Sequence, residues 1–171
     1  MRALHWDGRS LTLNPSYPIP KGADRTALVR VRLAGICSTD LRIFKGYMGF
    51  QGVPGHEFVG EVTEGSAELV GKRVVSEINF GCGHCGYCGR GLGSHCPDRK
   101  VMGILGADGS FAEFLSIPDS NLHIVPESVS DEEAVFTEPL AAAFEILEQT
   151  QIDPEDDVLV LRDGKLRMLC A

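Results

Sequence analysis

The run GCGHCGYCGRGLGSHC sets Cys82, Cys85, Cys88 and Cys96 in a C-x2-C-x2-C-x7-C spacing. No other feature constrains this chain as much, because four thiolates gathered by tight glycine turns must fold around a common centre. Zinc takes a closed tetrahedral set of sulfurs at structural sites, so the spacing predicts a zinc lobe over 81–97. A disulfide framework is the competing arrangement, since the chain has six cysteines, an even number. That alternative needs an oxidising compartment, and the opening MRALHWDGRSL lacks the apolar run of a secretory signal. The expectation is a cytoplasmic chain whose cysteines stay reduced.

Charge narrows the range of partners. With 24 acidic against 16 basic residues the formal net charge is −8, before any thiolate is counted. Binding to nucleic acid through phosphate contacts would need a basic face, and Arg90, Arg99 and Lys100 are too few near the lobe to supply one. No stretch approaches the roughly 20 apolar residues of a membrane span. Neither nucleic acid nor a membrane is expected as a partner.

Short apolar runs broken by glycine and proline fill the first two-thirds of the chain and predict many short strands. MRALHW and LTL flank Asp7-Gly8, a hairpin signal, and TALVRVRL alternates as a half-buried strand does. EFVGEV, KRVVSEI, SFAEFLSI and HIVP predict further strands, with the cysteine lobe inserted between two of them. After Pro126, Ser130-x-x-Glu133 has the pattern of a capping box. Pro139 interrupts the helical stretch that the box opens, which predicts one helix ending near Thr137 and another from Pro139 to about Gln149. Beyond a polar linker over 153–157, VLVL reads as a buried strand and Asp163-Gly164-Lys165 as a turn into a final helix.

A second set of donors lies outside the lobe. Cys37 falls in GICSTD, His56 and Glu57 in GHEFVGE, and Glu138 in TEPL. Taken singly, a buried cysteine or histidine is usually a core residue. Together they make a mixed sulfur, nitrogen and oxygen set, which is how a catalytic zinc is held with one position open. With GICSTDL, GHEFVGEV, the cysteine lobe, GSFAEFLSIP and EPLAAAFEIL in order, the chain resembles the zinc-dependent medium-chain alcohol and polyol dehydrogenases. The resemblance extends over nearly the whole chain. It implies a mainly β fold: a GroES-like β-barrel with short helices and a zinc-binding lobe, carrying only the first βα piece of a Rossmann domain. On that basis 1–152 is a catalytic domain and 153–171 the start of a nucleotide-binding domain.

The resemblance also implies roles. Cys37 and His56 become catalytic-zinc ligands, and Glu57 or Glu138 supplies the carboxylate, with Glu138 slightly favoured. Glu57 would otherwise support the metal from behind, and Glu138 would otherwise sit at a helix N-terminus where the dipole favours its charge. Asp40 is placed to orient His56 or, more plainly, to cap a short helix at DLRIFKG. Thr39 is placed to pass on the proton of an alcohol whose acidity zinc raises, or simply to bond local backbone. Where many relatives continue that relay with a histidine, this chain has Arg42, which holds its proton at neutral pH.

At the turn after VLVL the family's G-x-G-x-x-G is replaced by Arg162-Asp163-Gly164-Lys165-Leu166-Arg167, against two of the fingerprint's geometric needs. These residues leave two expectations. One is the catalytic domain of a zinc-dependent, NAD(P)-linked dehydrogenase acting on a small alcohol or polyol, with two zinc ions and no complete NAD(P) site of its own. The other is a non-enzymatic, zinc-holding remnant of that fold which self-associates through an uncovered VLVL edge, so a homo-oligomer is expected.

Overall fold

The computed structural model describes residues 1–22, 24–160 and 165–170. A hairpin opens it, β1 (Ala3–Trp6) paired antiparallel with β2 (Leu11–Asn14). Asp7 closes the turn as its sequence suggests: its Oδ1 accepts from the backbone N–H groups of Arg9 and Ser10, each at 2.7 Å. Then come β3 (Thr26–Gly35), α1 (Ser38–Ile43), β4 (Glu57–Glu64), β5 (Arg73–Ser76) and β6 (Asn79–Phe80). The cysteine lobe leads to β7 (Lys100–Met102), β8 (Gly106–Ala107), β9 (Phe114–Pro118) and β10 (Leu122–Ile124). The helices α2 (Asp131–Ala134), α3 (Thr137–Gln149) and α4 (Lys165–Cys170) complete the order.

The largest sheet has five strands in the order β10-β5-β4-β3-β9, and β6-β7-β8 form a smaller one that carries the lobe. Strand alternation divides the core. Phe58 and Val62 of β4 and Val74 of β5 pack with Ala27, Val29, Met102, Leu115 and Ile117. Their neighbours Val59 and Val75 turn to the other face, against Val125, Ala134 and Val135. A third cluster of Trp6, Ile43 and Phe50 fixes α1 to the hairpin, with Ile43 wholly buried. Burying such a side chain contributes roughly 1.5–3 kcal/mol, which anchors a helix too short to be stable by itself.

The capping box at α2 forms. Ser130 Oγ accepts from the Glu133 N–H at 3.2 Å, and Glu133 Oε2 accepts from the Ser130 N–H at 2.8 Å. Asp131 adds an electrostatic clamp between α2 and the sheet, 2.7 Å from both Arg32 and Arg73. Two expectations need correction. The third helix begins at Thr137, two residues before Pro139, because the first four N–H groups of a helix have no internal acceptor and a proline there breaks nothing. The preceding helix accordingly stops at Ala134, short of Thr137. No strand forms over 158–160: Val158 and Leu159 are exposed and no partner ladder reaches them among the described residues. Leu161, Arg162, Asp163, Gly164 and the side chain of Arg167 lie outside the described residues.

Candidate metal centres

The lobe brings Cys82, Cys85, Cys88 and Cys96 together, with their sulfurs all within 4.8 Å of one another. Cys85 Sγ lies 3.6 Å from Cys88 Sγ and 3.7 Å from Cys96 Sγ. A disulfide would require about 2 Å, whereas sulfurs at the corners of a zinc tetrahedron, about 2.3 Å from the metal, lie about 3.8 Å apart. All six cysteines are free thiols. Backbone N–H groups lower the pKa of Cys82 and of Cys85, the latter to about 7, led by His84 and Cys88 respectively. Cys88 also receives a backbone bond, from Gly83, but burial and the adjoining sulfurs push it up to about 11. Four sulfurs this close cannot all carry charge unless a cation sits among them, which is the condition zinc satisfies. His84 and His95 are exposed and lie outside the sulfur set.

The second set is assembled from separate elements. Cys37 caps α1, while His56 and Glu57 lead into β4. One potential ligand atom from each of Cys37, His56 and Glu57 lies within 4.8 Å of the others. Glu138, at the start of α3, lines the same cavity and contributes charge near His56, but is not a member of that close set. Gly35 stands directly opposite Glu57 in the β3–β4 ladder. A Cβ there would collide with Glu57 Oε2 and come to 3.1 Å from Glu57 Cβ, so the glycine makes the space that the carboxylate occupies.

Asp40 caps the start of α1 and lies beside His56. Its Oδ2 accepts from the Cys37 N–H at 2.8 Å, fixing the helix start, and its Oδ1 accepts from the Gly55 N–H at 3.2 Å. The same Oδ1 faces His56 Nδ1 at 3.5 Å, a charge contact that is too long for a strong hydrogen bond. Both side chains are buried. Burial opposes a charge on His56, yet Asp40, Cys37 and the field of Glu138 outweigh it and push the imidazole up to about 10. Cys37 moves the other way, drawn down chiefly by its hydrogen bond with His56. Its thiolate, the form a metal takes, is thereby favoured. Thr39 Oγ1 lies 3.6 Å from Cys37 Sγ and lines the cavity.

Glycines also hold the backbone that presents His56. Gly55 has φ +96°, and its carbonyl accepts from the Ser110 N–H at 2.9 Å. A Cβ on either Gly103 or Gly109 would collide with that carbonyl. The backbones cross so closely that only glycine fits.

The cavity above Cys37, His56 and Glu57 encloses about 570 Å³. Its walls come from 36–48, 78–79, 99–105 and 138–142, and include Tyr47, Ile104, Leu105, Arg42 and Arg99. Sequence reasoning placed Arg42 only as a break in a proton relay and Arg99 only as a surface charge. Nothing local marks either as lining a site, because the segments that meet there are tens of residues apart.

A mainly β domain thus carries one closed sulfur cluster, and one mixed cluster at the floor of a cavity, each able to hold a metal ion. Residues 23–127 match the alcohol dehydrogenase GroES-like domain, and the chain belongs to that family. It is 37% identical over 155 residues to the starvation-sensing protein RspB of Escherichia coli K12, covering 86% of this chain and 45% of that protein. To the sorbitol dehydrogenase of Halalkalibacterium halodurans it is 34% identical over 161 residues, covering 90% of this chain and 47% of the relative. The fold matches an alcohol dehydrogenase, rspB, from Escherichia coli CFT073 complexed with NADH, at a TM-score of 0.88 and 32% identity. That match covers 99% of this chain and 51% of the other. The chain thus spans about half the length of the curated relatives it matches. Among the described residues, no helix is long and apolar enough to cross a membrane.

Proposed function

We propose that this chain is the zinc-holding catalytic part of an NAD(P)-linked dehydrogenase that oxidises a secondary alcohol or polyol to a ketone. The observation that carries the reading is the set of Cys37, His56 and Glu57 at the floor of a cavity large enough for a small polyol. On this reading residues 1–152 are the catalytic domain and 153–171 begin the nucleotide-binding one.

Zinc bound there would act as a Lewis acid on an alcohol. Cys37 and His56 are ligands in this reading, and the close carboxylate of Glu57 is the third, in preference to Glu138. Asp40 fixes the imidazole by facing Nδ1, which leaves Nε2 free for a metal. Thr39 accepts the alcohol proton within the cavity and hands it towards the mouth, where Arg42 cannot take it up, so the onward acceptor is solvent. The second zinc is held by Cys82, Cys85, Cys88 and Cys96 and stabilises the lobe.

Metal analysis together with turnover tests the reading. Zinc-loaded protein should contain two zinc ions per chain, Cys37→Ala should contain one, and the full-length protein should reduce NAD or NADP when given polyols. A single zinc in the parent, or no reduction with any alcohol, rejects it. A second reading, a zinc-holding protein that self-associates without catalysis, is favoured by the exposed apolar residues Phe144, Leu147, Val158, Leu159 and Met168. A monomeric mass over a wide concentration range would remove it.

A further inference from the structure

We infer that the cavity above Cys37 and His56 selects an alcohol bearing an oxyanion, a phosphate monoester or a carboxylate, and that Arg99, assisted by Arg42, binds that group. The inference rests on the functional reading above and extends it to the class of substrate.

Its basis is the setting of the two arginines that line the cavity. Arg2, Arg30, Arg32 and Arg73 each lie within 3.5 Å of a carboxylate oxygen. Arg9, Arg25, Arg90, Arg42 and Arg99 make no ion pair among the described residues, and of these five Arg42 and Arg99 line the cavity that contains Glu57 and Glu138. Arg99 is partly buried, and its Nε is enclosed without a hydrogen-bond partner. Among the described residues its guanidinium is engaged through Nη1 alone, by a long 3.4 Å bond to the Cys96 carbonyl. Its Nη2 makes no hydrogen bond among the described residues and is not sealed off as Nε is, so an arriving oxyanion gains a charge-assisted bond there without displacing a protein partner.

A guanidinium presents a planar fork that matches phosphate or carboxylate in a bidentate manner, and lysine cannot reproduce it. Arg42, exposed at the mouth, adds attraction for an anion on its way in. The replacement of the expected relay histidine by arginine then has a positive role in substrate capture.

Calorimetric binding to the zinc-loaded full-length protein tests this with sorbitol, sorbitol 6-phosphate and gluconate. One of the anions should bind at least about tenfold more tightly than sorbitol, as expected when hydrogen bonds to a charged group are formed. Arg99→Gln should abolish that preference, read as the ratio of anion to sorbitol affinity, and Arg99→Lys should restore only part of it. The tighter of the two anions identifies the group recognised. Equal affinity for sorbitol and both anions, or a preference that survives in a folded Arg99→Gln variant, overturns the inference. Because binding is read without turnover, a failure of the dehydrogenase reading appears separately, as absent NAD(P) reduction. Oxidation of neutral polyols without anion preference would defeat the inference and leave that reading standing.

Discussion

Replacing Gly35 with alanine separates the two carboxylates that are candidates for the proposed open metal site. Gly35 lies in β3 with ordinary extended backbone, so alanine introduces no conformational strain, and restricting the unfolded chain offers about 0.4–1 kcal/mol in its favour. The three atoms nearest the added methyl group all belong to Glu57: Oε2 at clashing range, Cβ at 3.1 Å and Cδ at 3.4 Å. Carbon and oxygen need more than about 3 Å, so the carboxylate must retreat by about an ångström. Disturbing a metal ligand's support on that scale typically lowers affinity by about 10–100-fold, or about 1.4–2.7 kcal/mol. A two-site zinc titration against a chromophoric chelator should show the weaker site losing affinity by that factor, with the sulfur site unmoved. Circular dichroism and melting temperature should stay at parent values or above. Unchanged affinity at the weaker site would refute the assignment of Glu57 as ligand, and a fall in Glu138→Gln would then transfer that role to Glu138.

Two further outcomes are expected from the same geometry. Cys96→Ser removes the buried member of the sulfur set. It should cost one zinc per chain by metal analysis and lower the melting temperature, while Cys37→Ala loses the other zinc with a smaller thermal effect. Asp131 is held below the usual carboxylate range, first by Arg73 and then by Arg32. Its folded pKa is depressed, so its contribution to stability is present above the unfolded value near pH 4 and is lost as pH falls through the folded one. Denaturant unfolding from about pH 6 to about pH 2.5 should show Asp131→Asn less stable than the parent at the upper end and the two converging in acid. A constant gap across that range would count against the clamp.

What the sequence made legible was whatever short spacing determines. The sulfur lobe lies within 15 residues, and a capping box needs four, so local pattern suffices for both. Cys37, His56 and Glu57 could be selected because each sits in a motif of its own, but their closeness is made by the β3–β4 ladder and its bulges, which no local pattern encodes. The choice between Glu57 and Glu138 illustrates the gap, because it depends on Gly35 yielding space across a strand. Arg99 was illegible as a site residue for the same reason. VLVL shows the opposite failure, since an apolar run describes what a strand needs and cannot say whether a partner strand is there to pair with it.

The lobe has a consequence beyond gathering its own four sulfurs. Arg99 follows Cys96 by three residues, its backbone N–H donates to the Cys96 carbonyl at 3.2 Å, and its Nη1 reaches the same oxygen. The sulfur cluster therefore works as a mechanical reference point for one wall of the cavity. Altering the metal in the lobe would retune which molecules the distant floor receives, so a centre with no open coordination position could still govern selectivity.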